Sequence, residues 1–385
     1  MLSRRTWLQT ATALGASFSA RSHAVGAHTK QTTAQTPNSG WLLSAADGNN
    51  AQPHLVAISR TTQSRYAWPL PGRAHDIGLL PARPEYPCLG YCIARRPGTW
   101  LYWFDLKQGK LLARIESPTD SHFYGHAATN TDGSLLYVTE NHYQTSTRLK
   151  PRGVIGIYET KPPFNRVGEF DAQGLGPHQI LFDAPHQNLI VANGGNITHP
   201  SSEREVLNLA TMQPNISYLA AETGKLLELR EPTDHQMSLR HIALAENGLL
   251  AIGAQDQAGL RDPDEPAPLV FTHKRGQPLS PLPANTNQWL AARQYIGSMA
   301  VAPDGSAVLA SAPRGNQLLL WQNSGALQVF NAVDAAGIAW NTQAHGFMAS
   351  NSGGQLFNLS LTPGAQLTAL PAAAQWHWDN HLFLG

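Results

Sequence analysis

Charge is scarce in this chain of 385 residues: Asp, Glu, Lys and Arg together make up 14%, against roughly 25% in an average soluble protein. The 27 basic and 26 acidic residues nearly cancel. Such a balance gives no field to hold a polyphosphate backbone or an anionic membrane surface, so nucleic acid is excluded as a partner. Cysteine is almost absent, with Cys88 and Cys92 alone, and a disulfide-stapled scaffold is excluded with it. Residues four apart in an extended strand lie about 13 Å apart, whereas a disulfide prefers Cα atoms roughly 5.5 Å apart. Two buried thiols are therefore expected, and their spacing fits no metal-binding or redox motif. A long apolar run is missing too. The weak stretch from Thr10 to Ala20 is too short and too rich in Ser and Thr to span roughly 30 Å of hydrocarbon. There is no long amphipathic stretch of helical period, no Gly-rich phosphate loop, no Gly-x-Ser-x-Gly elbow and no closely spaced His/carboxylate motif of a metalloprotease.

What is present is 42% hydrophobic residues, enough for a sizeable core, with 33 Gly, 27 Pro, 10 Trp and 16 His. The Gly and Pro content reads as many short strands joined by tight turns, and the histidines are in excess. At the N-terminus, Arg4-Arg5 followed by Trp7 and Gln9, then the weak apolar stretch and the small residues around Ala24 and Ala27, resemble a twin-arginine export signal. Residues 1–27 are expected to be that signal, 28–39 a disordered tether, and 40–385 the folded domain, located in the periplasm. Removal of residues 1–27 takes Arg4, Arg5 and Arg21 and no acid, leaving 24 basic against 26 acidic residues.

One pattern recurs through the chain: a His, a short apolar segment, an Asp-Gly or Asn-Gly turn, and a second apolar strand ending in small or polar residues. Copies begin at His126-Ala127-Ala128 with Asp132-Gly133, at His178-Gln179-Ile180 with Asp183, and at His241-Ile242-Ala243 with Asn247-Gly248. Another has Ser298 at its head, with Asp304-Gly305, and fainter ones start at His75, Gly337 and His381. The seven heads are separated by 51, 52, 63, 57, 39 and 44 residues. Such a period in an all-β chain predicts a seven-bladed β-propeller with four-stranded blades. Before His75 there is room for three strands, near 41–45, 54–59 and 65–70, and after His381 for one. Together they make a closing blade shared by the two termini, which leaves no open sheet edge. The two longest intervals imply surface insertions near 195–217 and 255–268.

In a propeller the first strand of each blade lines the central channel, so the heads form a ring at one mouth. Five of the seven are His75, His126, His178, His241 and His381. Second strands run back antiparallel, which places Glu140, Asn141 and Asn193 on the rim of that mouth, with His199 in a polar loop able to fold over it. Neutral imidazoles bind Fe, Cu, Zn or Ni, and a channel mouth gathers ligands from distant parts of the sequence. The alternative is a ring that hydrogen-bonds neighbouring backbone and channel water, with opposite histidines too far apart to share an ion at about 2.0–2.1 Å. Arg73, Arg240 and Arg314 near the ring point to an anion, such as the carboxylate of a metal chelate or of a haem.

Gly176-Pro177-His178, Val191-Ala192-Asn193-Gly194-Gly195 with Thr198-His199-Pro200, Ser238-Leu239-Arg240-His241, Pro313-Arg314-Gly315-Asn316 and Asp379-Asn380-His381 together resemble an uncharacterised bacterial family, the domain of unknown function fifteen-thirteen. The similarity runs from about residue 40 to the end, and Gln179 stands where an acid is common in the family. The resemblance implies exported propellers without an established activity, encoded beside imelysin-like iron-regulated proteins and dihaem-oxidoreductase-like proteins. It points to an accessory in iron or other metal acquisition, with imelysin-like or haem proteins as periplasmic partners. The strand Leu136 to Asn141 is also similar to the repeats of lactonase-like propellers. The expected function is binding of a metal ion, metal chelate or metalloprotein partner without turnover. The alternatives are a lactonase-like hydrolase, with a His base and Arg73, Arg240 or Arg314 stabilising an oxyanion, and a scaffold for protein partners.

Overall fold

The computed structural model describes residues 40–385 except 63, 146–149, 184, 203–204, 260, 262–264, 324 and 371–374. The proposed signal and tether, residues 1–39, lie outside the described residues. No helix among those described is long and apolar enough to cross a membrane.

Seven four-stranded antiparallel sheets form a β-propeller. The inner strands of the first six blades are Ala74–Leu79, Ser121–Thr129, Pro177–Phe182, Met237–Leu244, Ser298–Val301 and Ala335–Asn341. The seventh blade is built from both ends of the chain: Trp376–Leu384 is its inner strand and pairs with Trp41–Gly48, followed by Pro53–Ser59 and Arg65–Pro69. The predicted architecture is therefore observed, including the shared closing blade. Gly40 and Gly385 extend this latch, since the Gly40 N–H donates to the Gly385 carbonyl at 2.6 Å.

Each blade presents apolar residues to its neighbours because middle strands are covered on both faces and read as almost continuous apolar runs. Gln317–Gln322 contains four consecutive buried residues, Leu318 to Trp321, and Leu89–Ala94 is buried throughout. Outer strands alternate between exposed and partly buried residues, as in Arg166–Asp171 and Arg65–Pro69. Trp103, Trp321, Tyr158, Tyr218 and Phe104 are among the largest fully buried side chains and fill the wedges between blades; burying such a side chain contributes about 1.5–3 kcal/mol. The hairpin turns follow the predicted chemistry. Gly305 sits at φ +77°, a conformation glycine adopts without steric penalty, and the Asp304 carboxylate accepts from both the N–H and the hydroxyl of Ser306. Cys88 and Cys92 are free thiols, both buried.

The long interval after His241 has a second cause besides the segment near 255–268. A short helix, Thr286–Ala291, precedes the fifth blade, capped at Asn285 by a reciprocal side-chain pair with Gln288. Six residues are too few to carry a helical period that sequence reading detects.

The inner strands share one irregularity that the site depends on. In the first blade His75 and Asp76 stand opposite the single residue Ile93, because Ala74 pairs with Ala94 and Ile77 with Cys92. In the third, His178 and Gln179 oppose Ala192. Comparable breaks in register fall at Tyr124–His126, at Arg240, at Ala336 and at Asp379–His381. Only the fifth blade, headed by Ser298, pairs its inner strand without a break. A bulge bends the strand and re-aims its side chains, and here the bulges lie at or beside all five head histidines.

Candidate metal centre

The bulges turn His75, His126, His178, His241 and His381 toward one point on the axis. Nine pairs among these five rings have centroids 4.5–6.5 Å apart. The ring nitrogens form two triads, His75/His126/His381 and His126/His178/His241, each with its atoms within 4.8 Å of one another, and His126 belongs to both. Nε2 of His75 and Nε2 of His178 are 3.5 Å apart. Two ligands on a tetrahedral ion at about 2.0–2.1 Å stand roughly 3.3 Å apart, so the spacing suits ligation.

Neutral imidazole has one donor and one acceptor nitrogen. Nε2 of His126 and His381, and Nδ1 of His75, His178 and His241, are buried without a hydrogen-bond partner. Buried polar atoms are nearly always satisfied. Each of the five clustered rings thus keeps one nitrogen without a partner, which fits a set of metal donors better than a fully hydrogen-bonded ring. Burial, followed by the charge of neighbouring histidines, pushes the pKa of His75, His178 and His241 well below neutrality, and His381 is pushed down to about 3 for the same reasons. These imidazoles are neutral at pH 7, the form that binds a cation.

Polar residues next to the histidines fix their positions. Asp76 Oδ2 lies 3.5 Å from His126 Nδ1 and accepts from the Ala127 N–H at 3.2 Å. Burial would raise the Asp76 pKa, but the facing His126 and this backbone bond hold it below the usual carboxylate range. Gln179 occupies the equivalent place two blades on, where its Oε1 accepts from the Ile242 N–H at 2.9 Å. In the first and third blades the residue after the head histidine thus straps its blade to the next one, and an amide does this as well as an acid. Thr139 Oγ1 accepts from the His126 N–H and lies 3.1 Å from the carbonyls of His126 and His178. Gly125 has φ +113°, and a Cβ there would stand 2.5 Å from Cδ2 of His75, so glycine alone fits between the two rings. The sequence reading missed Asp76, Thr139, Gln179 and Gly125 as site residues. The polar character of 76 and 179, directly after heads, was the available signal.

Above the histidines lies an open vestibule with about 740 Å³ of atom-free space, lined by His75, His178 and His241 and by Arg95, Arg96, Arg240 and Arg314. Arg240 is 3% exposed; burial and the nearby Arg96 push its pKa down to about 10, which leaves it cationic at pH 7. Its Nε donates to Ser238 Oγ at 2.9 Å, and Asn196, with its amide oxygen toward the guanidinium, accepts at 3.2 Å. Arg96 donates to the Tyr124 hydroxyl at 3.0 Å, and Arg314 stacks 4.4 Å above the Tyr295 ring. Arg73 is placed differently, in a two-pronged ion pair with Asp379 at 2.8 and 2.6 Å that ties the first blade to the closing one.

The four rim candidates do not line this vestibule. Glu140 is fully buried within the second blade, bonded by Tyr158 and Arg166. Asn193 binds Ala172, Asn215 and Ser217, and Asn141 bonds with His122. His199 packs edge-on to Tyr143 in the insertion. The insertion does reach the mouth through Val206 and through Thr198, whose hydroxyl is 3.5 Å from that of Tyr124.

The family model described as "Protein of unknown function (DUF1513)" matches residues 68–385. No curated protein matches the chain. Among solved structures, one titled "Kuenenia stuttgartiensis Hydrazine Synthase" is similar over 92% of this chain and 100% of that one, with a TM-score of 0.57 and 12% identity. At that identity the likeness is one of fold.

Proposed function

Because the chain belongs to the DUF1513 family, whose description assigns no activity, we propose its function from its own geometry: it binds a transition-metal ion in the five-histidine centre, without turnover. The observation that carries this reading is the convergence of five imidazoles, four of them buried, whose ring nitrogens form two triads joined at His126. Imidazole donors suit Fe, Cu, Zn and Ni, and an all-nitrogen set disfavours the hard cations that take oxygen ligands. The rest of the proposal extends this core. The twin-arginine pattern at Arg4-Arg5 supports export, which makes the protein a periplasmic accessory in iron or other metal acquisition. Its partners would be periplasmic proteins that deliver or take the ion, imelysin-like or haem-containing by the family association. Among the described residues no tryptophan is exposed, so a pure scaffold role has no large aromatic anchor to support it.

Metal analysis of the purified protein, with titration of Fe(II), Cu(II) and Zn(II) into metal-stripped samples, tests the reading. His126→Ala breaks both triads and abolishes tight binding, whereas His241→Ala breaks one and weakens it. If no ion binds below millimolar concentration, or if neither substitution changes binding, the proposal is lost.

A further inference from the structure

The vestibule above the histidines has a chemistry of its own. Four of its lining side chains are guanidinium groups, and among the described residues that line it there is no Asp or Glu. Such a concentration of like charge is unfavourable unless an anion offsets it. The ion pairs found among the described residues satisfy Arg73 but include none with Arg96, Arg240 or Arg314. These three are instead held by neutral groups: Arg240 by Ser238 and Asn196, Arg96 by Tyr124, and Arg314 by the face of Tyr295. Contacts of this kind fix the direction of a guanidinium without neutralising it. A bare divalent cation approaching through this mouth meets four positive groups before it meets an imidazole.

We propose that the vestibule is an oligocarboxylate site, and that the ion enters and is held as an anionic carboxylate chelate. Arg96, Arg240 and Arg314 grip the carboxylates while the histidines below complete the coordination of the metal. This rests on the metal reading above and names its cargo. Guanidinium forks match carboxylate geometry in two-pronged pairs. Arg96, Arg240 and Arg314 belong to three different stretches of the chain and line one cavity, so a ligand with several carboxylates engages more of them than a single oxyanion does. The position also fits, because His75, His178 and His241 line the floor of the same cavity. A carboxylate gripped by the arginines therefore lies next to the donor nitrogens.

Citrate is the probe, titrated calorimetrically into the metal-stripped full chain, with tricarballylate, inorganic phosphate and sulfate as comparisons. Citrate and tricarballylate are expected to bind at least tenfold more tightly than phosphate or sulfate, with affinity falling as salt rises. Arg314→Gln and Arg96→Gln, both at positions with solvent access, each weaken citrate by about tenfold or more, the loss typical of a charge-assisted hydrogen bond. The same substitutions leave the affinity for Zn(II) or Cu(II) added without chelator unchanged or raise it, since they remove a repelling charge. Arg240→Gln carries a larger effect, and a thermal melt establishes that it folds. Phosphate or sulfate binding as tightly as citrate overturns the proposal, as does citrate affinity indifferent to all three substitutions. Retention of ion binding by His126→Ala leaves citrate binding untouched and counts against the metal centre instead.

Discussion

At His126 the two ring nitrogens face different surroundings. Nδ1 looks to Asp76 Oδ2 at 3.5 Å, while Nε2 is buried without a partner beside the other four rings. A carboxylate behind a ligating imidazole fixes its tautomer and orientation, and loss of such a partner typically lowers metal affinity by about 10–100-fold. Asp76→Asn keeps the shape of the side chain and removes the charge. It is expected to reduce ion affinity by about that factor with a smaller effect on folding, measured by competition with a chromophoric chelator alongside urea denaturation. Unchanged affinity would show that Asp76 acts only as the strap to Ala127. Gln179 shows the strap in isolation, since it holds Ile242 with no carboxylate charge.

At the scale of the strand, the bulge is the unit that builds the site. A regular inner strand would place its head side chain according to strict alternation. Breaks in register at the head histidines instead aim five side chains at one point. Gly125 is the tightest element of this arrangement, at φ +113° and with a would-be Cβ 2.5 Å from the His75 ring. Gly125→Ala is expected to destabilise the fold by about 1–3 kcal/mol, the range for a strained backbone position, and to weaken ion binding in the fraction that folds by displacing His75. Urea denaturation read by tryptophan fluorescence gives the first quantity; wild-type stability would mean that the backbone relaxes without moving the ring. The bulges also mark the limit of what the sequence carries. Strand positions, blade count and the closing blade are legible because hydrophobic runs and turn residues such as Asp304-Gly305 repeat with the blade. The equivalence of the five histidines is legible for the same reason. Their convergence is not, because it depends on one or two extra residues per inner strand, and those carry no compositional mark. Nor can the sequence tell that Arg73 pairs with Asp379 across 306 positions while Arg240 faces the vestibule, or that Glu140 turns into its own blade to meet Arg166.

For the whole molecule, the buried histidines couple folding, pH and metal. Unfolding exposes His75, His178, His241 and His381 to water and returns each to a pKa near 6.5, whereas in the fold burial and mutual repulsion hold them far lower, His381 at about 3. Between those values the unfolded chain binds more protons than the folded one, so stability rises with pH through this window. It is fully present above about pH 6.5 and is lost as the pH falls toward 3. The urea midpoint of the metal-free protein is therefore expected to be clearly lower at pH 5 than at pH 7.5, and a variant carrying both His178→Leu and His241→Leu to have a flatter profile. A bound ion adds stability by mass action, about 2.7 kcal/mol at 100 times Kd, and steepens the same acid transition. The protons report on the site in a second way. Ordinary imidazoles at pH 6 are mostly protonated and release protons when they ligate, whereas the four depressed ones have none to give. Calorimetric titration of Zn(II) at pH 6 in buffers of different ionisation enthalpy should thus give a proton release well below that of five ordinary imidazoles. Release of about three or more protons per ion would mean that these four histidines titrate normally and that the centre is open to water rather than preformed for metal.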